Sequence, residues 1–150
     1  MGFLKNPNST NKQYLHVSRI TSDQSSVGTN VDLIYNSKLS GNIPFNTTTG
    51  VGTLTAGKTY KITVSNSFQT FSNTTGGYVS YAIVDAADNT VLSPVTETLP
   101  PTNTSSNISG ILEFIYSPTE NKNIKVRTQA CDGTCKLRYA VYSGMTIIQI

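Results

Sequence analysis

The chain is a succession of short segments in which apolar and polar residues alternate, and turn residues separate one segment from the next. The clearest segment is Thr59–Ser65, where Tyr60, Ile62 and Val64 fall on one face and polar residues on the other. Alternation with a period of two is the pattern of a strand with one buried face. Short strands separated by turns in this way indicate a β-sandwich or a jelly roll.

The composition supports an all-β fold. Charged residues make up 13% of the chain, against a usual share of roughly 25%. Asn, Thr, Ser and Gly take their place, and these residues are poor helix formers. A chain of 150 residues is long enough to bury one core. We predict a flexible arm over residues 1–13 and one jelly-roll domain of about ten strands over residues 14–150.

The apolar runs give the positions of the expected strands. They are Tyr14–Ile20, Val31–Tyr35, Ile43–Phe45, Gly52–Leu54, Thr59–Ser65, Tyr78–Asp85, Val91–Leu92, Ile111–Tyr116, Ile124–Thr128, Leu137–Tyr142 and Met145–Ile150. Two stretches between them, Ser65–Gly77 and Ser93–Ser109, are long and lack periodicity. Loops of this length either bind ligands or cover sheet edges, and the sequence leaves both interpretations open. The candidate ligand-binding residues in these stretches are Phe68, Phe71, Asn73 and Asn103.

Charge and hydropathy argue against two classes of partner. The net charge of +3 is spread thinly, without the basic run that phosphate contacts require, so no nucleic-acid partner is expected. No segment has the roughly 18 consecutive apolar residues of a transmembrane helix, so no membrane insertion is expected. The first residues lack the apolar stretch of a secretory signal, which predicts synthesis in a cytoplasm.

The polar residues give no indication of catalysis. His16 is the single histidine, and a lone histidine on a strand is expected to lie at the surface or at an edge. The carboxylates are scattered, and no serine lies in a nucleophile turn. Neither a phosphate loop nor a dinucleotide motif occurs. We therefore expect a protein that is not an enzyme and has no metal or other cofactor.

Two cysteines, Cys131 and Cys135, bracket three residues. Two thiols are too few for a structural zinc site, and their spacing is not that of a redox Cys-x-x-Cys motif. They either form a disulfide across the tip of a hairpin, which is the preferred interpretation, or remain as two thiols in a loop.

The closing segment, Thr146–Ile150, is apolar on both faces. A terminal strand of this kind needs a cover on both sides, since an exposed apolar strand promotes aggregation. Burial at the axis of a symmetric oligomer would provide that cover. Tyrosines, of which the chain has eight, are also favoured at subunit interfaces.

Three segments of the chain carry a resemblance to a known family. Asp32–Tyr35 leads through Gly41–Asn46 to Thr49–Leu54, and Thr55–Ile62 resembles a Pro-Gly-x-Tyr-x-Phe strand with Ala for Pro and Ile for Phe. Ser143–Ile150 is similar to the closing strand of the same domains. Together these segments resemble the trimeric jelly roll of tumour-necrosis-factor-like cytokines, complement globular heads and many virus surface proteins. Arg19–Ser25 with the following Asp-Leu-Ile is similar to small virion proteins of tailed phages and large DNA viruses.

The resemblance implies three protomers packed side by side around an axis. The residues that it places at the trimer interface are Tyr60, Phe114, Tyr116, Ile148 and Ile150. It implies a non-enzymatic virion surface protein, such as a capsid decoration, head-fibre or tail-fibre knob, whose residues 1–13 dock on a capsid or fibre protein. Its loops would meet a host glycan or receptor. The alternative is a carbohydrate- or receptor-binding module of a bacterial or spore surface protein.

Overall fold

A computed structural model of the chain describes residues 12–70, 78–98, 107–131, 135–139 and 143–150. The described residues form thirteen strands and no helix. The strands are β1 Tyr14–Ser18, β2 Gln24–Val27, β3 Asp32–Leu33, β4 Ser37–Gly41, β5 Phe45–Asn46, β6 Val51–Leu54, β7 Tyr60–Thr70, β8 Val79–Asp85, β9 Thr96–Thr98, β10 Asn107–Tyr116, β11 Lys122–Cys131, β12 Cys135–Leu137 and β13 Gly144–Gln149.

The strands form two antiparallel sheets. In sheet A, β7 pairs with β10 along one side and with both β12 and β13 along the other. From β13 the sheet continues through β1 to the edge strand β4, and β2 pairs with β12. Sheet B has the order β5-β6-β11-β8-β9, with β3 also paired to β11. All pairings in the described residues are antiparallel, as expected for a jelly roll.

The core lies between the two sheets and follows the predicted alternation. Tyr60, Ile62 and Val64 of β7 are fully buried, and Leu15 and Val17 of β1 are buried on the same side of sheet A. Every residue of β8 is buried, and β8 lies inside sheet B between β11 and β9. The period-two pattern is therefore confirmed for β1 and the first half of β7, whereas β8 is buried on both faces.

The polar strands depart from the prediction. The sequence did not predict β2, β4 and β9, whose residues QSSV, SKLSG and TET show no apolar alternation. The loop expected to begin at Ser65 is wrong over its first residues, because β7 continues to Thr70 through backbone pairing with β10 and β12. The expected strand Val91–Leu92 is reduced to one bridge, between Val84 and Val91. The strand expected at Leu137–Tyr142 is wrong over its described part, because β12 ends at Leu137 and residues 138 and 139 are not in a strand, and residues 140–142 lie outside the described residues.

A polar group lies inside the core where β7 becomes polar. The Tyr35 hydroxyl donates to Oδ1 of the fully buried Asn66, over 2.9 Å. Within the described residues, Asn66 Nδ2 and the Tyr81 hydroxyl have no hydrogen-bond partner. Burial raises the pKa of both tyrosines well above the usual value, so both hydroxyls stay neutral.

Two conservative substitutions are expected to differ in effect. Tyr35→Phe leaves Asn66 Oδ1 without its donor and is expected to lower the free energy of unfolding by about 1–2 kcal/mol. Tyr81→Phe removes a hydroxyl that has no partner in the described residues, so a change within about 0.5 kcal/mol is expected. Urea unfolding of the two variants, with equal m-values, checks this, and equal losses would contradict it.

Candidate functional site

The solvent-facing side of sheet A, here called the outer A face, carries an unusual number of apolar side chains. In one row across four strands, Ile115 of β10 pairs with Lys61, Lys61 with Ile148, and Ile148 with Tyr14. Ile111 points to the same side from β10, because it lies four residues from Ile115 on a strand. These four apolar side chains are 47% to 67% exposed. An exposed apolar sheet face marks an interaction surface more often than a scattered apolar residue does.

A hollow interrupts the outer A face where its residues are small. Its floor includes Ser18, Ser65 and Gly144, which are neighbours across β1, β13 and β7. Ile20 and Leu39 line its rim, and the hollow has a volume of about 570 Å³. His16 also lines the hollow and is exposed, which confirms the expected surface position of this residue.

One ion pair lies on the same face. Lys61 Nζ is 2.7 Å from Glu113 Oε1, and both side chains are about half exposed. The hydrogen bond and charge of Lys61 hold the pKa of Glu113 below its usual value. The two charges compensate each other, so the pair adds no net charge to the apolar face.

The predicted interface residues divide into three groups. Ile148 and Ile150 are about half exposed and point away from the core, so they are available to a partner. Phe114 and Tyr116 face inward, stack with ring centroids 5.5 Å apart, and pack against the core while staying half-buried. The prediction for Tyr60 is wrong, because the ring is fully buried and its hydroxyl donates to Gln13 and accepts from the Thr55 backbone N–H.

The sequence interpretation missed Tyr14, Ile111 and Ile115. The sequence of β10 could have identified Ile111 and Ile115, because this strand has apolar residues on both faces. Ile111 and Ile115 lie on one face, and Leu112 and Phe114 lie on the other. The same argument, apolar residues on both faces of one strand, identified Ile148 on β13. A strand that is apolar on both sides within a two-layer sandwich needs a second cover on its outer side.

The predicted ligand-binding residues receive no support as a group. Phe68 is fully buried and its ring lies 5.8 Å from that of Tyr81, so the prediction that it stacks on a ligand is wrong. Phe71, Asn73 and Asn103 lie outside the described residues. Phe68 is buried because β7 continues past the expected loop start and turns this side chain toward the core.

The two cysteines lie at the ends of strands in different sheets. Cys131 is the last residue of β11 and is half-buried, and its Sγ donates to Val27 O over 3.6 Å. Cys135 is fully buried at the start of β12. Their sulfur atoms are not joined in this structure, which does not match the preferred disulfide, and both cysteines lie at strand ends, which does not match the loop of the alternative.

The sandwich has two distinct ends. Gln149 N donates to Gln13 O and Ile150 N to Thr59 O, so residue 13 and the last residue lie at one end. Gln13 also bonds to Thr55 and therefore belongs to the domain rather than to the predicted arm. Thr70, Thr98 and Cys131, the last residues of β7, β9 and β11, lie at the other end. Along β7 the ends are about 33 Å apart.

Among the described residues, no helix is long and apolar enough to cross a bilayer. Comparison with protein-family models gives no match. Comparison with curated protein sequences gives none either.

Solved structures of similar fold are found over nearly the whole chain. The Eiger TNF of S. frugiperda is 12% identical with a TM-score of 0.63, covering 93% of this chain and 92% of the other. Murine APRIL is 11% identical with a TM-score of 0.62, covering 93% and 99%. The globular domain of zebrafish complement 1qA is 14% identical with a TM-score of 0.57, covering 92% and 95%. The chain therefore has the jelly-roll fold of TNF-like and complement globular domains, as its sequence predicts.

Proposed function

We propose that the protein is a non-enzymatic homotrimer on the surface of a virion, a capsid decoration or fibre knob that presents one end for attachment. The observation that carries the proposal is the outer A face, which leaves Tyr14, Ile111, Ile115 and Ile148 about half exposed or more in a single protomer. Burying these side chains against a second copy would remove apolar surface from water at roughly 25 cal/mol per Å².

The outer A face carries a knob and a hollow at separate places, which suits the contact of one protomer with the next. The protruding Ile111 and Ile115 lie on β10 at one edge of sheet A, whereas the hollow lies over β1, β13 and β7. If the knob of one protomer enters the hollow of the next in one direction only, the contact is head-to-tail, and such a contact forms a ring when its rotation closes. Three protomers are the number that the family resemblance implies.

The two ends of the sandwich suit a displayed protein. Gln13 lies beside Gln149 at one end of the sandwich, so docking of an arm formed by residues 1–11 on a capsid or fibre protein would hold this end inward. The opposite end, where β7, β9 and β11 terminate, would then face outward, toward a host receptor or glycan. The likeness of Arg19–Ser25 to phage virion proteins supports the virion as the location.

Light scattering of the purified protein tests the trimer. A mass of about 49 kDa, three times the 16.2 kDa of one chain, is expected at all concentrations tested. Deletion of residues 1–11, which spares the hydrogen-bonded Gln13, is expected to keep this mass and abolish incorporation into particles. A monomer mass would contradict the trimer, and incorporation without the arm would contradict the docking role.

A further inference from the structure

A second depression lies on the edge of sheet B, away from the outer A face. It has a volume of about 660 Å³ and is lined by β5, β6, the turn between them, and Asn123 of β11. We call it the β5–β6 cleft. Its volume is within the range of small-molecule sites, which is roughly 300–1,000 Å³. All its residues belong to one protomer, so the cleft exists whether or not the protein is a trimer.

Two asparagine side chains in the cleft are held in fixed orientations. Asn46 Oδ1 accepts hydrogen bonds from Thr48 N and Thr49 N, at 2.9 and 3.1 Å. Asn123 Oδ1 accepts from Thr53 Oγ1 at 2.8 Å. Each bond occupies the carbonyl end of the amide, and neither NH₂ group has a partner among the described residues. Two pre-oriented donors are thus presented to whatever enters the cleft, at little cost in side-chain entropy.

The rest of the cleft is apolar or neutral. Pro44 and Val51 contribute apolar surface between the two amides, whereas the Phe45 side chain packs against the core. Asn46 is opposite Val51, and Asn123 is opposite Thr53, two residues further along β6. Strand spacing then separates the two asparagine Cα atoms by about 12 Å. A ligand that reaches both amides therefore needs acceptor oxygens at its ends and an apolar surface between them.

The uncharged lining of the cleft argues against an anionic ligand. The residues that line the cleft include no charged side chain. The nearby cations of sheet B are engaged by carboxylates, Lys122 with Asp85 and Glu120, and both Lys125 and Arg127 with Asp32. An anionic ligand would therefore find no unpaired cation at this site.

We propose that the β5–β6 cleft binds a neutral saccharide of one or two rings. The hydroxyl and ring oxygens accept from Asn46 and Asn123, and the C–H face of a ring lies on the apolar floor. This proposal rests on the proposed display role in that it names the ligand class of an attachment protein. It moves the glycan site from the predicted loop residues to the side of the domain.

An added peptide strand is a weaker occupant of the same place. The edge strand β5 has only two residues, and Pro44 immediately before it has no backbone N–H to donate. Strand addition depends on a row of main-chain hydrogen bonds, which this edge is too short to offer.

The test is a glycan array followed by titration with a bound neutral glycan. The array carries neutral glycans ending in hexose or N-acetylhexosamine beside sialylated and sulfated ones. Asn123→Asp keeps the acceptor for Thr53 and replaces the NH₂ donor by an acceptor, so at least a tenfold loss of affinity is expected. The matched control is Asn121→Asp, since Asn121 accepts from Ala56 N in the same way but does not line the cleft.

Neutral glycan binding that Asn123→Asp weakens and Asn121→Asp leaves unchanged would support the site. The proposal is overturned by binding of only anionic glycans, by equal effects of the two variants, or by no binding at all. Light scattering of the same sample gives its mass, so the test of glycan binding is kept separate from the test of the trimer. If the protein is a trimer but binds no neutral glycan, only the cleft proposal is wrong. If it is a monomer that binds a neutral glycan, only the trimer proposal is wrong.

Discussion

Replacing both Ile111 and Ile115 by aspartate is expected to convert the trimer into a folded monomer. The two side chains are 67% and 61% exposed in a single protomer, so the new carboxylates stay in water while the chain is alone. In the assembled ring they would be buried against a partner's apolar surface, which costs several kcal/mol for each unpaired charge. The mass by light scattering should fall from about 49 kDa to that of one chain, 16.2 kDa.

The control for this variant is the double substitution of Ile111 and Ile115 by leucine. Leucine keeps the apolar volume at both positions, so the trimer mass is expected to persist. Far-UV circular dichroism of both variants establishes that the sandwich has folded. A folded aspartate variant that keeps the trimer mass would show that β10 lies outside the interface, and the proposed contact of its knobs with the hollow would be wrong.

The alternation in the sequence predicted the layers of the fold well, and its limits are physical. Tyr60, Ile62 and Val64 share one parity, so the same pattern that predicted their strand also places Tyr60 in the core. The assignment of Tyr60 to the interface came from the family resemblance, and the period-two pattern argued against it. Where pattern and resemblance disagreed, the local pattern was the better guide.

The polar part of sheet A could not be predicted in the same way. Asn66 and Ser67 continue β7 in the core because both have hydrogen-bond partners there. The Tyr35 hydroxyl donates to Asn66 Oδ1, and the Ser67 backbone N–H donates to the Ser143 hydroxyl. These partners are 31 and 76 residues away in the chain. No local signal distinguishes such a strand from a polar loop, so Phe68 was assigned to a loop and its burial was missed.

The β5–β6 cleft also could not be predicted from the sequence. Its two amides are presented together only because β6 pairs with β5 on one side and with β11 on the other. The bond between Thr53 and Asn123 joins residues 70 positions apart. A long-range register of this kind follows from the pairing of complete strands, whereas the turn that orients Asn46 is local and was readable as a turn.

The second large effect is expected at Gly41, where β4 meets β1. Gly41 has a φ of +118°, and a Cβ added there would lie 2.3 Å from the Tyr14 carbonyl oxygen and 2.7 Å from Leu15 Cα. Both obstacles are backbone atoms, and they cannot rotate away as a side chain can. The Tyr14 oxygen is also held in place, since it accepts from Asn42 N and Ile43 N. Gly41→Ala is therefore expected to lower the free energy of unfolding by about 3–4 kcal/mol.

Gly57 separates the clash from the backbone strain. It also has a positive φ, +69°, but an added Cβ would meet nothing within 4 Å. Gly57→Ala should therefore lose only about 1–2 kcal/mol, the cost of a left-handed conformation for an L-residue. Urea unfolding at one fixed protein concentration compares the two, because the stability of an oligomer depends on concentration. Equal losses would mean that β4 shifts easily away from β1. Leu39 on β4 and His16 on β1, which both line the hollow, would then not be held rigidly enough to receive a partner.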